Sequence, residues 1–357
     1  MLELDAIDET PDVVIDLDRV RANIDRAARL AADAGIHLRP HAKTHKMVEV
    51  ARLQLEAGAA GLQVAKLGEA EVFADAGVDD LFVGYPLVGT RKLERLRALD
   101  SEVRVAVDSL EVARALSDAG RPLRVLIEVD TGLHRTGLPP GGPCVELALE
   151  LQRLPNLELV GVFTHEGQIY SAPQQAQAAH DAFDALLETA EAIRAQGIEL
   201  STVSAGSTGG FRHALEHPGI TEVRPGTYVF NDASQVAQGS ATWDDVAAFV
   251  VATVVARPSV DRAVIDAGSK VLTNDRLASP EPQQVNGTVL GHEGLFVTRL
   301  SEEHGVIDGA TDLRVGDRVA VVPNHICPVI NLTDSVCVVE NDAPVDRWRV
   351  AARGRVR

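Results

Sequence analysis

The chain has 357 residues, of which 45% are apolar and 24% charged, and carries a formal net charge of −18; this fits a large globular core, in two domains or in one barrel with an appendage. The acidic balance argues against nucleic acid or an anionic membrane as the main partner. No run approaches the ~18 apolar residues of a membrane span, no signal-peptide pattern opens the sequence, and Cys144, Cys327 and Cys337 form no CxxC pair, so the expectation is a cytoplasmic protein without a disulfide framework or a structural zinc knuckle.

In chain order, from Val13 to about Phe230, short apolar runs alternate with helical ones. "VVIDL" precedes "DRVRANIDRAARLAADAG", whose apolar residues recur at helical spacing up to Gly35. "HLRPHAKTHK" follows and crowds His37, His41, His45, Arg39, Lys43 and Lys46 into one short segment of an acidic chain. "GLQVA", "LFVGYP", "VRVAVD", "LRVLIEVD", "LELVGVFTH" and "ELSTVSAGS" each lead into a helix-like run or a loop and then a helix, and "EVRPGTYVFND" reads as the eighth strand. This rhythm predicts a parallel sheet closed into a (β/α)8 TIM-type barrel over 13–235. No GxGxxG follows the first strand, against a dinucleotide fold. After Ala233 the runs become short, strand-like and split by Gly, Pro and Asp. They predict an antiparallel β-domain over 236–357, with residues 1–12 packing on it.

Barrels carry their chemistry where strands end. Those ends hold "RPHAKTHK", Lys66, "DTGLHRTG", "THEGQIY", "SAGSTGG" and "RPGTYVFND". "SAGSTGG" is a Gly/Ser/Thr turn whose amides could cradle a phosphate. Lys43 sits among cations that would depress an ammonium and favour the neutral amine a Schiff base needs, with phosphate steering as the plainer role. A lysine on an early strand opposite a phosphate turn on a late one fits pyridoxal phosphate. In "PNHICPVINL", His325 and Cys327 stand at i, i+2 and, on a strand, face one side. That pair suits zinc with positions left open, although from spacing alone a core Cys beside a hydrogen-bonded His is the plainer reading. Glu303 and His304 could add a base or outer ligand, or simply make a surface turn.

Together these motifs resemble the D-threonine aldolase / D-serine dehydratase family, metal-activated pyridoxal phosphate enzymes of the alanine-racemase-like fold. The resemblance spans nearly the whole chain. It implies that Lys43 is the Schiff-base lysine, that Arg135 approaches the cofactor's phenolic oxygen, and that Tyr170 contacts its ring nitrogen. It also implies that Gly206, Ser207, Thr208, Gly209 and Tyr228 line the phosphate, and that His325 and Cys327 hold a divalent metal, Zn or Mn. His165 or a metal-bound water would be the base. The implied reaction is retro-aldol cleavage of a β-hydroxy-D-amino acid to glycine and an aldehyde. The alternative is dehydratase-type elimination to ammonia and an oxo acid; "PVINLTD" looks aldolase-like, whereas Cys as second ligand looks dehydratase-like. A racemase would need a second base and no metal, and a pyridoxal phosphate homeostasis protein would be a lone barrel. Relatives of this fold imply a homodimer.

Overall fold

The computed structural model describes residues 3–279, 284–309 and 312–357. Two compact units share the chain: one takes residues 27–43, 51–226 and 355–357, the other residues 1–26, 44–50 and 227–354.

The first unit is a parallel barrel. Its eight strands are His37–Leu38, Leu62–Val64, Asp80–Val83, Glu102–Val107, Leu123–Glu128, Leu157–Phe163, Thr202–Ala205 and Glu222–Val223. Each pairs in parallel with its sequence neighbour, apart from the first two, while the first also pairs with the last. A parallel bridge between His41 and Gln63, with Ala42 N donating to Gln63 O, joins the first two strands and closes the ring. The strands read as apolar runs because both faces are covered: Val125, Leu126 and Ile127 are fully buried in succession. Phe82, Ala106, Leu126, Val160 and Phe163 cluster together, the Phe82 and Phe163 rings meeting edge-on at 5.0 Å.

The second unit is antiparallel. Ala248–Ser259, Arg262–Ile265, Gly305–Asp308, Phe296–Leu300, Gly287–Val289 and Arg318–Pro323 pair in that order and return to Ala248–Ser259, a six-stranded ring without an open edge. Its core gathers Ile7, Val14, Val246, Phe249, Val251, Val322 and Val339.

One expectation changes here. "VVIDL" reads as a barrel strand, but Asp12–Asp16 belongs to the β unit. It pairs antiparallel with Ala248–Ser259 and parallel with Ser335–Glu340. The barrel therefore begins at His37, after the helix Leu17–Asp33. Of the segment 1–12, residues 1 and 2 lie outside the described residues. Ile7 is buried in the β-unit core, and Arg318 donates to the carbonyls of Leu4, Ile7 and Asp8. Among the described residues no helix is long and apolar enough to cross a membrane.

Candidate active site

The basic run 37–46 resolves into separate jobs. Arg39 is 1% exposed and spends its guanidinium on Glu222 at 2.8 Å and on both oxygens of Asp80, at 2.9 and 3.0 Å. Lys46, at φ 55°, donates to Asn331 Oδ1 at 2.8 Å within the β unit. His45 is buried and its Nδ1 accepts from Met47 N. His37 is exposed at the start of its strand, and His41 and Lys43 lie beyond the end of that strand, at the barrel mouth.

There, Lys43 N donates to His41 Nδ1 at 3.4 Å. His41 and His165 are both pushed well below the ordinary imidazole range, first by burial and then by Lys43; Arg224 adds to both, and Arg135 to His165. Both rings are therefore neutral at pH 7 and able to accept a proton. This geometry brings Lys43, Arg135 and His165 into one electrostatic neighbourhood. Arg224, quoted within "RPGTYVFND" but given no role by sequence, is buried and belongs to the same neighbourhood. Its Nε donates to Ser204 Oγ at 2.7 Å and Nη1 to Gln63 Oε1 at 2.9 Å, and its Nη2 donates to Thr164 O.

The loop after Leu123–Glu128 is built by two carboxylates. Asp130 accepts from Gly132 N and His134 N and pairs with the His134 ring at 2.9 Å, so Asp130 and His134 shape the turn that carries exposed Arg135. Glu128 accepts from Thr136 Oγ1 at 2.8 Å. Burial raises its pKa, and its Oε2 has no partner among the described residues.

The turn 206–210 fits a phosphate cradle. Gly206 sits at φ +84°, and a Cβ on Gly209 would lie 2.7 Å from Tyr170 Cε1. Tyr170, in the 3-10 turn Gly167–Ser171, thus lies against the cradle, its ring 6.5 Å from that of His165. Glu166, fully buried and missed by sequence, takes Ser207 N on Oε1, so that amide holds the turn's shape rather than facing outward. Thr208 is buried with its neighbours. Tyr228 lies in the other unit, in the 3-10 turn Thr227–Val229, with its ring buried and its carbonyl accepting from Asn231.

In the β unit, the strand expected at His325 and Cys327 is instead the start of a helix. His325 is the N-cap of Ile326–Leu332, and Cys327 lies in its first turn. Asp232 sets this start by accepting Ile326 N at 3.0 Å; burial raises that carboxyl's pKa. His325 Nδ1 bonds Asp275 Oδ2 at 2.8 Å. Burial alone would lower the His325 pKa, but Cys327, Asp275 and Asp232 together push it up to about 11. The Cys327 sulfur lies 3.2 Å from Thr44 Oγ1 and 3.8 Å from Thr227 Oγ1. Among the described residues no set of three or more His, Cys, Asp or Glu side chains is placed to hold a metal. The donor set nevertheless suits one: a thiol flanked by hydroxyls, and an imidazole with one nitrogen held by a carboxylate. Glu303 belongs elsewhere. It pairs with Lys270 at 2.6 Å, and Ser301 N donates to His304 O, so this is the surface turn of a hairpin and not an outer ligand.

The family model for the alanine racemase N-terminal domain matches residues 15–234, and a serine dehydratase domain model matches 247–339. A D-threonine aldolase from Arthrobacter sp. is 33% identical over 97% of this chain and 93% of its own. The chain belongs to the D-threonine aldolase / D-serine dehydratase family. A second member, D-threo-3-hydroxyaspartate dehydratase of Delftia sp., is 34% identical over 95% of this chain and 96% of its own. The crystal structure of D-threonine aldolase from Filomicrobium marinum superposes with a TM-score of 0.91 at 32% identity, covering 98% of this chain and 97% of that one. D-threo-3-hydroxyaspartate dehydratase has also been solved as a histidine-to-alanine variant and, metal-free, as a cysteine-to-alanine variant, the two positions lying two residues apart. The alanine-racemase-like architecture, a TIM-type barrel with an antiparallel domain, is the family's fold.

Proposed function

We propose that this protein is a lyase acting on β-hydroxy-D-amino acids, holding pyridoxal phosphate through Lys43 and a divalent metal, Zn or Mn, at His325 and Cys327, and that its main reaction is retro-aldol cleavage to glycine and an aldehyde. The observation that supports this most is the barrel-mouth cluster: a lysine at a strand end, two neutral histidines beside it, and a glycine cradle capped by Tyr170. When bound, the cofactor supplies an electron sink for the bonds at Cα, and the metal supplies a Lewis acid for a hydroxyl. The chain's own residues do the rest. Neutral His165 is the group to take the β-hydroxyl proton, because burial and the cations beside it keep its ring unprotonated and able to accept. Arg135 brings positive charge to the mouth, where it acts on both His165 and the Glu128 carboxyl. Gly206, Ser207, Thr208, Gly209 and Tyr228 are assigned to the phosphate and Tyr170 to the ring nitrogen.

Elimination to ammonia and an oxo acid is the second reading. Cys327 favours it, since His and Cys two residues apart are also the positions varied in the related dehydratase. One assay separates the two. Purified protein is given D-threonine and D-serine, with and without EDTA, and aldehyde and oxo acid are measured. Aldehyde from D-threonine, lost on chelation, is the expected result. Oxo acid without aldehyde gives the dehydratase. Neither product from either substrate sinks the lyase reading. We further propose a homodimer in which subunits share sites. Mixing inactive Lys43→Ala and Cys327→Ala subunits then restores some activity after subunit exchange, and no recovery refutes sharing.

A further inference from the structure

The carboxylate on His325 has no part in the assignments above. Asp275 comes from a loop 50 residues earlier, and its Oδ2 lies 2.8 Å from His325 Nδ1. An imidazole binds a metal through one nitrogen, and whichever nitrogen carries a proton is barred from doing so. A carboxylate fixed on Nδ1 keeps the proton there. It leaves Nε2 as the nitrogen that exchanges its proton for the metal, stops rotation of the ring, and raises the electron density that nitrogen then offers. The backbone on either side is anchored independently. Asn324 Nδ2 donates to Asp275 O at 2.9 Å and to Val285 O, and Asp232 holds Ile326 N. Asp275 and His325 are thus tied together through both main chain and side chain, and the orientation of the ring does not depend on the metal's arrival.

We infer that Asp275 is the positioning residue of the metal centre, directing His325 Nε2 to the ion without ligating it. This deepens the metal assignment and rests on it. The consequence is specific. With only two protein donors, His325 and Cys327, the centre has little affinity to spare, so loss of the carboxylate shows first in metal binding.

The test uses the full-length protein carrying its cofactor, with Co(II) as the probe. Metal affinity is read by chelator competition, and ligation by the thiolate-to-cobalt charge-transfer band and the d–d spectrum. Asp275→Ala is expected to weaken cobalt binding about 10–100-fold, with the charge-transfer band of the saturated protein retained and the visible spectrum of the cofactor unchanged. Asp275→Asn, whose amide oxygen still accepts from Nδ1–H, recovers part of that loss, which a purely structural role of the loop would not distinguish. If Asp275→Ala binds cobalt within about threefold of the parent, the inference is wrong. A d–d spectrum showing a lost oxygen ligand in Asp275→Asn overturns it in favour of direct ligation. If the unsubstituted protein gives no thiolate-to-cobalt band, the assignment of His325 and Cys327 has failed, and the role of Asp275 falls with it. Should Asp275→Ala prove insoluble, Asp275→Asn carries the affinity and spectral readouts alone.

Discussion

The two ends of the barrel use buried charge in opposite ways. Where the strands begin, the charges are paired, although Arg104 Nε is buried without a hydrogen-bond partner among the described residues. Arg39 meets Glu222 and Asp80, Arg104 reaches Asp80 at 3.1 Å, and Ser204 Oγ donates to the other oxygen of Glu222. Where the strands finish, polar groups are incompletely matched. Glu128 Oε2, Glu166 Oε2 and Gln168 Oε1 are buried without partners among the described residues, and two imidazoles sit beside cations that repel their protonated forms. A satisfied network specifies structure, whereas an unsatisfied one is tolerated where a ligand or a reaction completes it. The contrast separates a matched end of the barrel from the end that holds the proposed site, and it can be broken residue by residue.

The largest effect belongs to the mouth. Lys43→Ala is expected to reduce lyase activity to background and to abolish the cofactor's visible band while leaving thermal stability near that of the parent. A retained band would move the assignment to another lysine, Lys66 first. His165→Asn comes next, with kcat lowered about 10²–10⁴-fold as for loss of a general base and the cofactor band kept. If kcat holds while that of His41→Asn falls, the base is His41. The matched end should respond in the other currency. Arg39→Met leaves Glu222 and Asp80 without their main counter-charge, and loss of one member of a buried ion pair costs about 3–5 kcal/mol. Urea denaturation should show that loss with the cofactor band preserved in the folded protein; a destabilisation under about 1 kcal/mol would mean that the network is not what holds this end.

A smaller effect is expected from Gly209→Ala. The new methyl would press on the Tyr170 ring, and overpacking of this kind costs about 1–3 kcal/mol, read as weaker cofactor binding with the barrel intact. Unchanged affinity would detach the turn from the phosphate. Smallest is a pH effect. His41 and His165 protonate near 6.5 when unfolded but only well below that when folded. Below pH 6.5 the unfolded chain therefore holds more protons, and the stability these rings allow above that point is lost progressively as pH falls. His165→Asn should flatten the decline of the urea midpoint between neutral pH and pH 5, and parallel slopes would show that the ring titrates normally.

Much of this was legible in the sequence, for reasons that are local. Apolar runs alternating with helices announce a parallel barrel, and short runs split by Gly, Pro and Asp announce the antiparallel domain that follows it. What escaped is long-range. Asp12–Asp16 looks like any buried parallel strand followed by a helix, and it does pair in parallel on one side; nothing in its own residues says that the partner is Ser335–Glu340. "NHICPVINL" reads as strand from its apolar residues, yet Asp232, 94 residues away from Ile326, sets a helix start there. Glu166 stood in plain view within "THEGQIY" and Asp275 within "TNDRLAS", but a lone carboxylate carries no signal until a fold gives it a neighbour.

The placement of Asp12–Asp16 between Ala248–Ser259 and Ser335–Glu340 also imposes a timetable. On a ribosome adding about 5–20 residues per second, this strand waits roughly ten to fifty seconds for its first partner to be made, and longer for its second. All eight barrel strands are synthesised before either partner. The barrel can therefore fold around its own local contacts while the leading strand is still unpaired, an apolar ribbon open to other chains. Ribosome-associated factors that shield nascent apolar segments should matter more to the yield of this protein than the size of its barrel alone suggests.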